Sequence, residues 1–267
     1  MRTPTRVRGD LPEPPSAGRP TVRSVARALE AVRVVEAGPP EGVTLTALSQ
    51  HLGMSKSSTL ATLRTLAQAG FLRETQPGPR YKLGMALIRL GDLTARQQLP
   101  GDLTRPILRD LSERTGMTAR LAIADGGFPV FVERVDGPGA VRFHTPLGSR
   151  ELPHSTAAGK AILAELPEGE VESICGDRQL VRRTDRTITD PNALLSELRR
   201  IQRRGYSLDN EEDAEGIFCA GSAFHYYGGI AAVSVTGIKG DITQAGMREV
   251  GETVRVHAQR LAKLLAG

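Results

Sequence analysis

The chain has 267 residues, 35 Lys/Arg against 30 Asp/Glu, a net charge of +5 and 39% hydrophobic residues, enough in length and apolar content for two cores. No apolar run approaches the roughly 20 residues that span a bilayer, and the lack of Trp with only 4% aromatics offers no stacking platform for RNA or single-stranded nucleic acid. Two cysteines, Cys175 and Cys219, do not make a disulfide framework and fit a reducing cytoplasm.

Residues 1–20 are rich in Pro, Gly and charge, with four Arg against one Asp and one Glu. They read as a disordered basic tail, and without an apolar stretch they do not read as a secretory signal. Residues 21–98 hold ten Lys/Arg against five Asp/Glu, whereas residues 99–267 hold 21 against 23. The basic surplus therefore lies in the first third of the chain, where it favours approach to phosphate.

Val22, Val25, Leu29, Val32 and Val35 recur at helical spacing, which predicts an amphipathic helix over 22–36, stopped by Gly38, Pro39 and Pro40. The stretch from Thr44 to Tyr81 then reads as helix, tight turn, second helix and a two-stranded wing. The first helix runs Thr46 to Leu52, Gly53 turns, Ser55 opens the second helix, Gly70 ends it and Phe71 begins a strand. Gln76-Pro77-Gly78-Pro79 makes the wing tip, and Arg80 and Lys82 flank its return strand, placed to touch DNA backbone or minor groove. This order is that of a DNA-binding winged helix-turn-helix.

At about 100° per residue, Leu60, Leu63, Leu66 and Ala67 share one side of the second helix and would pack on Leu45, Leu48 and Leu52. The other side carries Ser57, Ser58, Ala61, Arg64, Thr65 and Gln68, which are short, or polar with reach, and suit a major groove. Ser55 is a good N-cap whose first-turn N–H groups can hold a phosphate, and Lys56 adds charge there. A plain helical hairpin would explain the helices but not the coincidence of small polar face, glycine turn and wing.

Gly84 to about Gln98 is a further helix, read as a connector and dimer element, and Pro100-Gly101 breaks the chain after it. The expected organisation is a tail (1–20), a winged helix-turn-helix domain (21–83), a linker helix (84–100) and a second domain (101–267). In the last, helices are expected at 103–116, 157–166, 191–204 and 243–265. Strands are expected at 119–124, 130–135 and 140–145, with a hairpin over 217–224 and 229–236. That is an α+β domain with a mostly antiparallel sheet.

Catalytic readings are weak. His154, Ser155 and Asp209 could suggest a Ser/His/Asp set, but no Gly-x-Ser-x-Gly elbow presents the serine. Cys219 reads as a small buried strand residue rather than a nucleophile. His51, His144, His154, His225 and His257 have no metal-ligand spacing, and phosphate loops and dinucleotide fingerprints are absent. No catalytic set, metal or cofactor is expected.

The chain resembles the IclR-type transcriptional regulators over essentially all of residues 21–267. The matching elements in the first domain are Ser24-Val25-x-Arg27-Ala28-Leu29, Leu52-Gly53-Met54-x-Lys56-Ser57-Ser58, Gly70-Phe71 and Tyr81-x-Leu83-Gly84. In the second they are Pro153-His154-x-Thr156-Ala157-x-Gly159-Lys160-Ala161, Thr187-Ile188-Thr189-Asp190 and Arg204-Gly205-Tyr206 with Asp209-Asn210-Glu211-Glu212. Cys219-Ala220 and Ala231-Ala232-Val233-Ser234-Val235-Thr236-Gly237 follow. Each is weak alone; their number, order and spacing carry the match.

The resemblance implies a cytoplasmic prokaryotic regulator with a GAF-like C-terminal domain that binds a small effector. Such proteins act on double-stranded DNA as dimers or dimers of dimers, and they repress or activate. It implies an effector site at Ala157 and Ala158, at a helix start, with Asp209, Cys219, Ser234 and Thr236. Backbone N–H groups at that helix start can bind an anion. Ser234 and Thr236, two apart on a strand, share a face and can hydrogen-bond a carboxylate or hydroxyl, so an organic acid or phenolic compound suits. The expected DNA contacts are Arg27, Ser55, Lys56, Ser57, Ser58, Ala61, Arg64, Thr65, Gln68, Arg80 and Lys82. An effector-independent repressor of the same fold is the alternative.

Two departures from the family pattern stand out. Many relatives have Pro at the position of Ser55, and an aromatic or His followed by Arg at those of Leu60 and Ala61. Ala61 removes a long cation from the DNA-facing side, and Arg64 is expected to replace it one turn later. The turn at Tyr226-Tyr227-Gly228 is short, which is expected to alter the pocket mouth.

Overall fold

The computed structural model describes residues 22–76, 78–99, 101–139, 146–175 and 180–265. The expected tail at 1–20, the strand at 140–145 with His144, and the prolines Pro77 and Pro100 lie outside them. The chain divides into two compact units, with the division at Gln98.

In the first unit, α1 (Arg23–Glu36) is followed by a two-residue strand β1 (Val43–Thr44), α2 (Leu45–Leu52) and α3 (Lys56–Gln68). Strands β2 (Leu72–Thr75) and β3 (Arg80–Leu83) form the wing, and α4 (Ala86–Gln98) ends the unit. Local chemistry sets these boundaries. The Thr44 side chain caps α2 by accepting from the Ala47 N–H, and Gly53 stops it at φ 59°, a left-handed conformation that costs glycine little. The Ser55 hydroxyl caps α3 by accepting from the Ser58 N–H at 3.2 Å. The wing has one strand more than expected, because β1 pairs with β3 through Val43–Tyr81 and Thr44–Arg80. Phe71 precedes β2 rather than opening it.

Ala31, Val35, Val43, Leu48, Leu63, Leu72 and Tyr81 form the core of this unit. The stripe expected on α1 is only half used. Val35 is buried, but Val22, Val25 and Leu29 are 66%, 55% and 56% exposed. Met85 and Ile88 are 71% and 67% exposed, and Leu90 and Leu93 of α4 are exposed too.

The second unit begins with α5 (Gly101–Thr115), then β4 (Thr118–Asp125) and β5 (Phe128–Val135). Next come α6 (Ala157–Leu163), α7 (Glu168–Cys175) and α8 (Pro191–Arg204). Strands β6 (Ser207–Asn210), β7 (Ile217–Tyr226) and β8 (Gly229–Ile238) follow, and α9 (Gln244–Leu265) ends the unit. The five strands form one antiparallel sheet in the order β5-β4-β8-β7-β6. Helix α7 and strand β6 were not expected, and α6 stops three residues earlier than the 157–166 reading.

Strand alternation sorts the sheet into two faces. Ala119, Leu121, Phe218, Ala220, Val233 and Val235 pack with α5 and α9 in one core. Ala122, Phe131 and Ala232 on the other face meet Ala158, Ala161 and Ile162 of α6, behind which α7 and α8 form their own cluster. Helix α6 approaches the sheet at Gly221. A Cβ there would lie 2.9 Å from the backbone of Ala157, so only glycine admits this spacing.

Candidate functional site

The first unit presents a polar helix face. Ser55, Lys56, Ser57, Ser58, Ala61, Arg64, Thr65 and Gln68 are all exposed, while Thr59 and Leu63 on the inner side are fully buried. Thr59 was not expected inward; its hydroxyl is satisfied by donating to the Ser55 carbonyl at 2.9 Å. Arg27 is exposed on α1 and lines a shallow groove with Arg33 and His51. Lys82 is half-buried on the wing. Arg80 has a structural task besides any DNA contact, because its Nη1 donates to the Gly42 carbonyl at 3.0 Å. Three exposed hydroxyls cluster at the start of α3: Ser55 Oγ lies 3.1 Å from Ser57 Oγ and 3.0 Å from Ser58 Oγ. Together they make a small, polar, unobstructed helix end.

The second unit contains a cavity of about 170 Å³ between α6 and the sheet. Its wall includes Ala157, Ala158, Asp209, Cys219, Ser234 and Thr236, so the six residues expected from motif position converge on one space. The register explains why. Asp209 pairs with Cys219 and Cys219 with Thr236, and one step along the same face Gly221 pairs with Ser234. Cys219 Sγ lies 3.3 Å from Thr236 Oγ1. Burial pushes the Cys219 thiol far up, so it stays protonated at neutral pH.

The loop after β6 closes one side. Asp209 Oδ1 accepts from the N–H groups of Glu212 and Asp213 at 2.8 and 3.3 Å. Burial raises the Asp209 carboxyl to about 7, against the opposing pull of Lys160. Lys160 of α6 is wholly buried, donates to the Leu208 carbonyl at 2.6 Å and pairs with Glu212. The Thr184 and Thr187 hydroxyls donate to the Glu211 and Glu212 carbonyls, both at 2.6 Å.

Several wall residues escaped the sequence reading. Arg120, Phe131, Glu151, Thr156 and Asp213 also line the cavity. Arg120 was the one with a visible signal, a lone charge within the apolar run Leu121-Ala122-Ile123-Ala124 that follows it. At the start of α6, Ala157 and Ala158 line the cavity and the Thr156 hydroxyl accepts the Gly159 N–H. One expectation needs correction. The hairpin turn at Tyr227-Gly228 is remote from the cavity mouth, since Tyr226 lies seven residues along β7 from Cys219, roughly 20 Å at about 3.3 Å per residue.

The side chains of a possible serine hydrolase set are used otherwise. His154 Nε2 lies 3.0 Å from the Val181 carbonyl oxygen, and Ser155 donates to Asp213 Oδ1 at 2.8 Å. Among the described residues no group of His, Cys, Asp or Glu is arranged to hold a metal, and no helix is long and apolar enough to cross a membrane.

Residues 24–76 match the family model of the IclR helix-turn-helix domain, and residues 101–263 match that of the bacterial transcriptional regulator IclR C-terminal domain. The chain belongs to the IclR family. It is a DNA-binding transcriptional regulator with an N-terminal winged helix-turn-helix. It is 30% identical to the HTH-type transcriptional regulator XynR of Escherichia coli over 253 residues, covering 92% of this chain and 98% of that one. The crystal structure of the Thermotoga maritima IclR superposes with a TM-score of 0.75 at 29% identity, over 91% of this chain and 99% of that one. An IclR homologue from Microbacterium hydrocarbonoxydans, solved with 4-hydroxybenzoate, shares the fold at a TM-score of 0.72 and 20% identity, over 91% and 98% of the two chains.

Proposed function

We propose that this IclR-family protein is a ligand-responsive regulator whose cavity takes up a small organic acid or aromatic effector that changes operator affinity. The observation carrying this reading is the convergence of Ala157, Ala158, Asp209, Cys219, Ser234 and Thr236, from one helix and three strands, on a single cavity. Its volume of about 170 Å³ is near the roughly 150 Å³ that accepts benzene in an engineered protein core. The 4-hydroxybenzoate held by the Microbacterium homologue is of this size class.

The exposed stripe of Val22, Val25 and Leu29 on α1, with Met85, Ile88 and Leu93 at α4, supports a homodimer, because a second copy would cover it. Two helix-turn-helix units would then meet two half-sites, and a dimer of dimers would double that. Binding an effector would favour one placement of the paired DNA-binding units, acting through its differential affinity for the two states. The protein would act in the cytoplasm.

Thermal shift of the full chain against small acids and aromatics, paired with fluorescence anisotropy on the DNA upstream of its own gene, tests this. A compound that raises the melting temperature and also changes operator affinity supports the reading. A flat panel with tight operator binding favours an effector-independent repressor.

A further inference from the structure

The cavity wall carries opposite charges on different elements. Among the described residues that line it, Arg120 is the one Lys, Arg or His, while Glu151, Asp209 and Asp213 are carboxyls. Arg120 reaches the cavity by register. On β4 it pairs with Ser234 of β8, which puts it on the same sheet face as Ser234 and next to Thr236.

Thr236 and Phe131 are among the neighbours that hold its guanidinium. Arg120 Nη2 donates to Thr236 Oγ1, and Cζ lies 4.6 Å from the centroid of the Phe131 ring. The residue is only 8% exposed. A guanidinium has five N–H donors in a fixed plane, matched to the two oxygens of a carboxylate. Burial raises both the Glu151 carboxyl and the Cys219 thiol, and the Arg120 charge opposes that rise at each, so its field reaches into the cavity.

The acidic pole is also built. Asp209 Oδ1 is fixed by two backbone N–H groups. Asp213 Oδ1 accepts from Ser155 and lies 3.6 Å from Arg183 Nε. Ionised carboxyls are acceptors only. A neutral apolar ring would strip water from both poles and return nothing, and a dianion would set its second charge against the Asp213, Glu151 and Asp209 carboxyls, of which burial already raises Glu151 and brings Asp209 to about 7.

We propose that Arg120 is the specificity-determining residue of the cavity: it seats the effector's carboxylate, and the acidic pole requires a hydrogen-bond donor at the effector's other end. The effector class is then a small hydroxy- or amino-carboxylic acid. This rests on the effector-binding reading above and adds what the effector must carry.

The test is isothermal titration and thermal shift of the full chain with matched probes: 4-hydroxybenzoate, benzoate and phenol; 4-hydroxybutyrate, 4-aminobutyrate, butyrate and 1-butanol; and the dianions succinate and terephthalate. A bifunctional acid should bind best in its set, and Arg120→Gln should weaken it by roughly tenfold to a hundredfold. Arg120→Lys, which keeps the charge, should preserve the ranking with weaker binding. Unliganded melting temperatures equal to wild type show that the variants fold, and if Arg120→Gln does not fold, the Arg120→Lys ranking decides. The proposal is overturned if butyrate, benzoate, an alcohol, a phenol or a dianion binds best, or if Arg120→Gln binds the bifunctional acid as tightly as wild type does. A panel flat in every class sinks the effector reading itself, and this proposal with it.

Discussion

Lys160 and Glu212 form an ion pair inside the second unit across 52 residues of sequence, with the Lys160 side chain wholly buried and that of Glu212 13% exposed. The pair ties α6 to the loop after β6, the two elements that frame the cavity above the sheet. With the Leu208 carbonyl as second acceptor, the ammonium is hydrogen-bonded on both sides.

Removing one partner should therefore be costly. Lys160→Met leaves Glu212 buried among carboxyls, where desolvation already raises it. The expected loss is about 3–5 kcal/mol, read by urea unfolding with a probe in the second unit. A loss below about 1 kcal/mol would mean that the loop relaxes and rehydrates Glu212.

Asp209 gives a pH signature. Its folded-state value of about 7 lies above the ordinary carboxyl value of 3.8, so between those limits the native state holds the proton more tightly than the unfolded chain. Its contribution to stability is therefore full below about pH 4 and declines as pH rises toward 7. His154, lowered by burial, acts in the opposite sense. The wild-type minus Asp209→Asn difference in unfolding free energy isolates the Asp209 term, and it should fall between pH 4 and 7. A flat difference would show that Asp209 is ionised throughout.

On the DNA side, Arg64→Ala should cost roughly 1–3 kcal/mol on the operator and little on scrambled duplex if Arg64 reads a base. Equal losses on both would make it a phosphate contact. Lys82→Ala should weaken binding on every sequence and reduce the salt slope by about 1. Arg80→Ala should in addition loosen the wing, because it removes the bond to Gly42; amide exchange along β3 would report it.

The exposed apolar residues on α1 and at α4 predict an assembly phenotype. Leu29→Glu or Ile88→Glu, both at exposed positions, should shift the protein toward monomer in analytical ultracentrifugation and weaken operator binding. Circular dichroism should be unchanged. A variant that stays dimeric would place the interface elsewhere.

Much of this was legible in the chain, and the gaps have physical causes. Helix α8 was bounded correctly because Asp190 caps it by accepting the Ala193 N–H, Pro191 fills the first turn and Gly205 stops it at φ 79°. The outward face of α3 followed from its period alone. Helix α7 did not stand out because it has only eight residues and includes Gly169 in its first turn. Strand β6, Ser-Leu-Asp-Asn, has little strand propensity and is held by its pairing with β7. Periodicity found the stripe on α1 but not what faces Val22, Val25 and Leu29. The six motif positions were legible as a set; Arg120 showed only as a lone charge beside an apolar run and Glu151 not at all, because contacts between distant segments bring them in.

The seat of α6 on Gly221 has a further consequence. There the helix rests backbone to backbone on the sheet, so the depth of the cavity is set independently of the side chains that face into it. Arg120, Glu151 and Ser234, which lie outside the cluster that packs α6 on the sheet, can be exchanged while the helix keeps its height. The architecture thus separates scaffold from wall chemistry, and a designer seeking a sensor for a chosen small molecule could redraw the wall while leaving the glycine under the helix alone.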